Sequence, residues 1–268
     1  MVLGCFLLYG ILLLLGKVGA SVGNVFDTDF YVSWAADHVQ FLNGGQELHL
    51  TLDQLSGSGF ASKNKYMFGN INMQIKLVPG DSAGTVTAFY LSSQGSNRDE
   101  LDFEFLGNKS GEPYVLQTNV YATGKGDREQ RIYLWFDPAS EFHTYGVIWN
   151  AAYILFMVDE VPIRVFMNNK TSGVPYPERQ AMGLFSSIWN GDSWATQGGL
   201  VKINWSHAPF VAAYRNFQTD QRVASSVEGL TPAQKNKLDW VKRNYMIYDY
   251  CSDKQRYPVP PPECYHNI

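Results

Sequence analysis

The segment Asp99-Glu100-Leu101-Asp102-Phe103-Glu104-Phe105-Leu106 places three carboxylates at alternate positions. On a β-strand alternate side chains share a face, so Glu100, Asp102 and Glu104 point one way and Leu101, Phe103 and Phe105 point into a core. A row of like charges is costly, and it is useful where coupling is wanted, because crowded carboxylates push one another's pKa values apart and one can stay protonated near neutral pH. Four residues of strand separate the Cα atoms of Glu100 and Glu104 by roughly 13 Å. Inward lean of about 4 Å by each side chain brings the carboxyls near the ~5–5.5 Å of a retaining glycosidase, short of the ~6.5–9.5 Å of an inverting one. The chemistry expected is a double displacement through a covalent glycosyl-enzyme. The other readings of the same row are a solvated acidic strand and a calcium site, although calcium loops usually add Gly, Asn and backbone carbonyl ligands.

These residues need a rigid sheet beneath them, and the chain alternates accordingly. Met67, Ile71, Met73, Ile75 and Leu77 alternate with Asn70, Asn72, Gln74 and Lys76, the period of a half-buried strand. Further strands are predicted at Thr85–Leu91, Leu101–Leu106, Tyr114–Tyr121, Gln130–Phe136, Phe142–Trp149, Tyr153–Val158, Ile163–Phe166, Ala181–Ile188 and Leu200–Trp205. Many short strands punctuated by Gly, Pro and Asp imply an all-β antiparallel sandwich or barrel. After about Phe217 a polar segment, Thr219 to Gly229, precedes one predicted helix. Thr231-Pro232-Ala233-Gln234 offers an N-cap, a proline at the first helical position and a capping-box glutamine, with Leu238, Val241, Tyr245 and Tyr248 as the apolar stripe. The Pro-rich tail from Tyr250 to Cys264 is expected to be extended. The resulting division is 1–20, 21–217 and 218–268.

Residues 1–20 read as a secretory signal peptide, apolar from Phe6 to Leu15 but for Tyr9 and Gly10, and ending in Val18-Gly19-Ala20. The apolar stretch is shorter than the roughly 20 residues that cross a bilayer. Cys5 leaves with it, and the remaining pair, Cys251 and Cys264, is expected to form one disulfide in an oxidising compartment, two free thiols being the alternative. Asn108, Asn169 and Asn204 each open an N-glycosylation acceptor motif. The formal charge of −4, or −5 once Lys17 is removed, argues against nucleic acid and anionic polymers as partners. That charge leaves a neutral polymer easy to accommodate; aromatic residues are plentiful, with 16 Tyr, 16 Phe and 7 Trp, and some of these rings are expected to face a ligand.

Asp99–Asn108 closely resembles the active-site strand of the plant xyloglucan endotransglucosylase/hydrolase family, within glycoside hydrolase family 16. The similarity extends through Gly80-Asp81-Ser82-Ala83-Gly84-Thr85-Val86, Leu134-Trp135-Phe136-Asp137-Pro138, Trp189-Asn190 and the tail before Cys264. The resemblance implies an antiparallel β-jelly-roll sandwich with a concave cleft, and a C-terminal extension that lengthens the acceptor side. It implies Glu100 as nucleophile, Asp102 as helper and Glu104 as acid/base, with Asn108 glycosylated. It further implies Tyr90, Gln117, Asn119 and Arg131 on the donor side, and Trp189, Trp194, Tyr248 and Arg256 nearer the acceptor; residue type alone favours packing roles for most of these aromatics. The partners are xyloglucan chains as donor and acceptor, with no cofactor or metal, in a secreted monomer of the cell wall and apoplast.

Four features depart from the family pattern. Arg98 stands where many members have His, Leu101 replaces the more frequent Ile, Gln197 replaces an Arg after Trp-Ala-Thr, and Asp220 to Gly229 lacks the cysteine of a first extension disulfide, so a looser segment is expected there. The short Tyr121–Arg131 connection, where hydrolytic members carry a longer loop, favours transfer over hydrolysis. The alternatives are a xyloglucan or mixed-linkage endoglucanase and a non-catalytic wall-binding protein.

Overall fold

A computed structural model of the chain describes residues 26–222 and 229–265. The expected signal peptide with Cys5, and residues 223–228 of the segment expected to be loose, lie outside the described residues. No described helix is long and apolar enough to cross a membrane.

In chain order the elements are α1 (Phe26–Asp29), β1 (Phe30–Trp34), β2 (Val39–Leu42), β3 (Glu47–Leu52), β4 (Ser58–Tyr66), β5 (Gly69–Lys76) and β6 (Thr85–Ser92). They continue with β7 (Glu100–Leu106), β8 (Val115–Tyr121), β9 (Gln130–Tyr133), β10 (His143–Trp149), β11 (Tyr153–Val158), β12 (Val161–Met167) and β13 (Met182–Asn190). The chain ends with β14 (Phe210–Asp220), α2 (Pro232–Asn244) and β15 (Met246–Asp249). One sheet has eight strands in the order β1-β4-β13-β6-β7-β8-β9-β15, the other seven in the order β12-β11-β10-β5-β14-β3-β2. The two stack face to face as the expected antiparallel β-jelly-roll sandwich.

Alternation explains the core between them. In β5, Ile71, Met73 and Ile75 are fully buried while Asn70, Asn72 and Gln74 are half-exposed. In β7, Leu101, Phe103 and Phe105 enter the core, where Phe103 packs edge-on against Phe156 and Phe105 against Tyr145 of the opposite sheet. Burying an aromatic side chain of this size contributes about 1.5–3 kcal/mol, so this strand is anchored by its inward face whatever its outward face costs. Arg164 of β12 is fully buried and donates to the carbonyl and hydroxyl oxygens of Thr118 on β8, tying the sheets together beneath the carboxylate strand.

One strand and one helix assignment are corrected. Leu200–Trp205 is not a strand: Gln197, Gly198 and Gly199 all take positive φ, and the Ile203 amide donates to the Asp192 carboxylate in place of a ladder partner. Leu200 is left 84% exposed. Tyr248 is not on the helix, because α2 stops at Asn244 and Tyr248 lies on β15, paired with Arg131.

The helix start is as expected, with the Thr231 hydroxyl accepting from the Gln234 amide and the Gln234 side chain accepting from the Thr231 amide. Leu238 packs α2 against Tyr153, Leu155 and Val165 on the outside of the seven-stranded sheet, while β15 joins the edge of the eight-stranded one. The C-terminal segment therefore clasps both layers. Its tail is closed by the Cys251–Cys264 disulfide, with Cα atoms 5.4 Å apart, and contains single helical turns at Tyr250–Ser252 and Pro262–Tyr265 where an extended path was expected.

Candidate active site

Register decides what surrounds each carboxylate. Strand β7 lies between β6 and β8, so Glu100 sits between Ser92 and Tyr121, Asp102 between Tyr90 and Asn119, and Glu104 between Ala88 and Gln117. Directly paired residues share a face. Together with Arg98, Ser187 and Trp189, the residues Ala88, Tyr90, Glu100, Asp102, Glu104, Asn119 and Tyr121 line an open hollow of about 310 Å³. All three carboxylates thus meet in one place. A larger hollow of about 710 Å³ under the tail is mostly apolar, and its buried Arg128 and Glu263 are already paired with each other. Among the described residues no group of three His, Cys, Asp or Glu side chains is arranged to hold a metal ion.

The three acids are not equivalent. Asp102 is only 8% exposed, and burial, followed by the charges of Glu100 and Glu104, raises its pKa well above the usual carboxylate range. The guanidinium groups of Arg98 and, behind the strand, the buried Arg164 pull the other way. Glu104 is also raised, first by burial and then by Glu100 and Glu129, against the hydrogen bond it accepts from Gln117. A carboxyl whose pKa is raised in this way holds its proton more firmly than a free one and is suited to donating it to a departing oxygen. Tyr90 is pushed up to about 12 by burial and by Glu100 and Asp102, so its hydroxyl keeps its proton.

Hydrogen bonds fix the orientation of both outer acids. Gln117 Nε2 donates to Glu104 Oε2 at 2.6 Å, while Gln117 Oε1 accepts from Arg131 Nε at 2.6 Å. Arginine only donates, so it fixes the amide's orientation and leaves Glu104 Oε1 available to carry a proton. The Arg131 guanidinium lies 5.3 Å from the centre of the Tyr248 ring. Glu100 is held differently, by Arg98 Nε donating to its Oε2 at 2.9 Å, with the guanidinium 4.5 Å from the centre of the Tyr121 ring.

The expected binding residues fall into three places. Tyr90, Asn119 and Trp189 line the hollow, and Gln117 adjoins it through Glu104. Trp194 lies 6.0 Å from Trp189, both half-buried against Val86, Leu106 and Ala195. Arg256 is farther out, pairing with Asp127 and Glu129, and Tyr248 donates its hydroxyl to Asp253. Along the sheet, Tyr90 and Trp189 lie on the β6 and β13 side of the carboxylate strand, with Trp194 beside Trp189, and Gln117, Asn119, Arg131 and Tyr248 on the β8, β9 and β15 side. Residues that sequence reasoning left out of the site include Tyr121 and Ser187, which arrive only through strand pairing, and Ala88, a small residue beside Glu104. Arg98, which the sequence marked only as a departure from the family pattern, contacts Glu100 from just before β7. Asn108 lies just beyond β7, its amide donating to the Pro113 carbonyl.

A concave antiparallel sheet carrying alternating, oriented and electrically inequivalent carboxylates is the framework of a glycoside-bond-cleaving enzyme. Residues 26–207 match the glycosyl hydrolases family 16 profile, and residues 215–264 match the xyloglucan endo-transglycosylase (XET) C-terminus. The chain belongs to this family. It is 52% identical over 278 residues to xyloglucan endotransglucosylase protein 2 of Diospyros kaki, covering 94% of each chain. It is 53% identical over 261 residues to probable xyloglucan endotransglucosylase/hydrolase protein 5 of Arabidopsis thaliana, covering 91% of this chain and 89% of the relative. Among solved structures, Bacillus licheniformis β-glucanase superposes with a TM-score of 0.54 at 25% identity, covering 71% of this chain and 85% of that one. A prokaryotic β-1,3-1,4-glucanase derived from a mouse hindgut metagenome gives 0.59 at 21% identity, covering 74% and 98%, a likeness of fold.

Proposed function

We propose that this chain is a retaining xyloglucan endotransglucosylase that cuts a β-1,4-glucan backbone and rejoins it to another xyloglucan chain. Glu100 attacks the anomeric carbon of the sugar on the donor side of the scissile bond, and Glu104 gives its proton to the departing glycosidic oxygen. The product is an ester between Glu100 and the donor. An acceptor hydroxyl then attacks the same carbon, its proton passing to Glu104, and Glu100 leaves as carboxylate. Asp102 separates the two glutamates and tunes both. Tyr90, Asn119 and Trp189 hold the sugars at the cut, and Trp194 supports Trp189. Gln117 and Arg131 orient Glu104 beside the donor, and Tyr248 and Arg256 form the side toward the extension, where the acceptor binds.

The observation that carries this reading is the shared hollow of Glu100, Asp102 and Glu104, with Glu104 raised in pKa and anchored through one oxygen only. Transfer is favoured over hydrolysis by the tightness of the 122–129 connection. It closes through the Ala122–Lys125 bridge, and its Arg128 is bonded to the carbonyls of Val120 and Lys125 and to Glu263. The protein acts as a secreted monomer in the cell wall and apoplast, with residues 1–20 removed, 21–217 forming the catalytic body and 218–268 the extension. Asn108 carries glycan once its amide is released from Pro113.

Incubation of xyloglucan polymer with a labelled xyloglucan oligosaccharide tests the proposal. Incorporation of label into long chains is the expected result. New reducing ends without incorporation would make the protein an endoglucanase, and tight glucan binding with neither product would make it a wall-binding protein.

A further inference from the structure

The register of the eight-stranded sheet draws one straight line across the candidate cleft. Trp34 pairs with Gly59, Gly59 with Ser187, Ser187 with Ala88, Ala88 with Glu104, Glu104 with Gln117, Gln117 with Arg131 and Arg131 with Tyr248. The proposed acid/base therefore lies on a row with an aromatic ring at each end. Tyr248 ends it at the extension, and Trp34 ends it at the opposite edge. A neighbouring row runs from Tyr31 through Ala61, Phe185 and Tyr90 to Asp102.

Trp34 owes its place to a local irregularity. Simple alternation from Phe30, which is buried in the core, would turn Trp34 inward as well. The register shifts between Val32 and Trp34, so that Tyr31 pairs with Ala61, Val32 with Phe60 and Trp34 with Gly59. One residue, Ser33, is extra, and such a bulge re-aims the side chains that follow it. Trp34 thus joins Tyr31 on the cleft face. Gly59 makes room for it, since a Cβ there would stand 2.4 Å from the indole Nε1. The indole lies against the glycine backbone and remains 42% exposed, beside Tyr31 at 50%. An edge strand that turns two large rings to solvent on the cleft face calls for a ligand, because scattered packing needs explain neither the bulge nor the glycine. Between Trp34 and Glu104 the row carries only Gly59, Ser187 and Ala88, and Phe185 stacks on Tyr90 at 5.3 Å alongside it. The result is a floor without bulk, bordered by rings.

We infer that Trp34, with Tyr31 beside it, is an outer sugar-binding platform for the glucan backbone at the donor end of the cleft. The donor label rests on the proposed function, in which the extension takes the acceptor. Four strand spacings separate β1 from β7, roughly 19 Å, a span of several consecutive sugars. The platform therefore engages long donors and is out of reach of short ones.

The test is equilibrium binding by calorimetry, with Glu100→Ala throughout to stop turnover, using xyloglucan oligosaccharides with short and long glucan backbones. Adding Trp34→Ala is expected to raise the Kd of long oligosaccharides about tenfold, the loss of one aromatic stacking contact. The Kd of short ones stays as it was, which also reports an intact fold, and Trp34→Phe recovers most of the long-chain affinity. Equal Kd values for long oligosaccharides with and without Trp34, or an equal loss for short and long, overturns the inference. Turnover of polymer by the unsubstituted protein is scored separately, so failure of the proposed function is distinguishable from failure of the platform.

Discussion

Glu263→Ala is expected to destabilise the protein by about 3 kcal/mol, the low end of the roughly 3–5 kcal/mol measured when one partner of a buried ion pair is removed. Arg128 is 5% exposed and Glu263 3%, and Arg128 Nε donates to Glu263 Oε1. Its other hydrogen bonds go to the carbonyls of Val120, Lys125 and Gly126, and it lies 5.7 Å from the centre of the Phe166 ring, none of which carries a neutralising charge. Removing the carboxylate therefore strands a buried cation. The tail cannot escape the cost by peeling away, because Cys264 next to Glu263 is bonded to Cys251 and Tyr250 beneath it is fully buried. Some water enters the vacated space, which is why the low end applies. At about 2–4 °C per kcal/mol for a protein of this size, thermal unfolding should move down by about 6–12 °C. Scanning calorimetry measures this directly. The double variant Arg128→Met with Glu263→Leu should recover most of the loss, since it leaves no charge behind. A Glu263→Ala protein melting within about 2 °C of the parent would refute the reasoning, as it would mean that Arg128 is solvated or neutralised in some other way.

Glu100→Ala should reduce transfer at least about a thousandfold while oligosaccharide affinity persists, because the nucleophile makes its bond only during reaction; assays of label incorporation and of binding separate the two. Asp102→Asn should lower the rate but raise stability as pH rises. The folded pKa of Asp102 lies above its unfolded value near 3.9, so the parent's stability is fully present below about pH 4 and is lost on the way up through the raised folded pKa. Urea midpoints at pH 4 and pH 7 check the sign, and a stability difference between variant and parent that does not grow over that interval contradicts it. Arg98→Gln should lower kcat by about tenfold to a hundredfold through misplacement of the Glu100 carboxylate, with far less change in KM; an unchanged kcat would show that the 2.9 Å contact positions nothing.

Local chemistry made several parts of this protein legible in its sequence. The alternation of Glu100, Asp102 and Glu104 with Leu101, Phe103 and Phe105 fixed both faces of β7, because the side-chain period of a strand is two. Thr231, Pro232 and Gln234 specified the helix start, and two cysteines in the tail specified their own pairing. Periodicity misled at Leu200–Trp205, where positive-φ residues and the Asp192 side chain took the chain out of the ladder, and at Tyr248, where the apolar pattern ran on after the helix had ended. Strands β1 to β4 and β14 passed unread; β4 carries Ser, Gly, Lys and Asn along its length, and β14 is broken by a register shift between Arg215 and Gln218 with Asn216 at positive φ. Only the tertiary structure decided which residues face one another across the cleft. Gln117 meets Glu104, Tyr90 meets Asp102 and Trp34 joins their face through pairings between segments distant in the chain, and register depends on the whole sheet closing over its core. The raised pKa of Asp102 has the same origin, since burial comes from neighbouring strands and not from its own sequence neighbours.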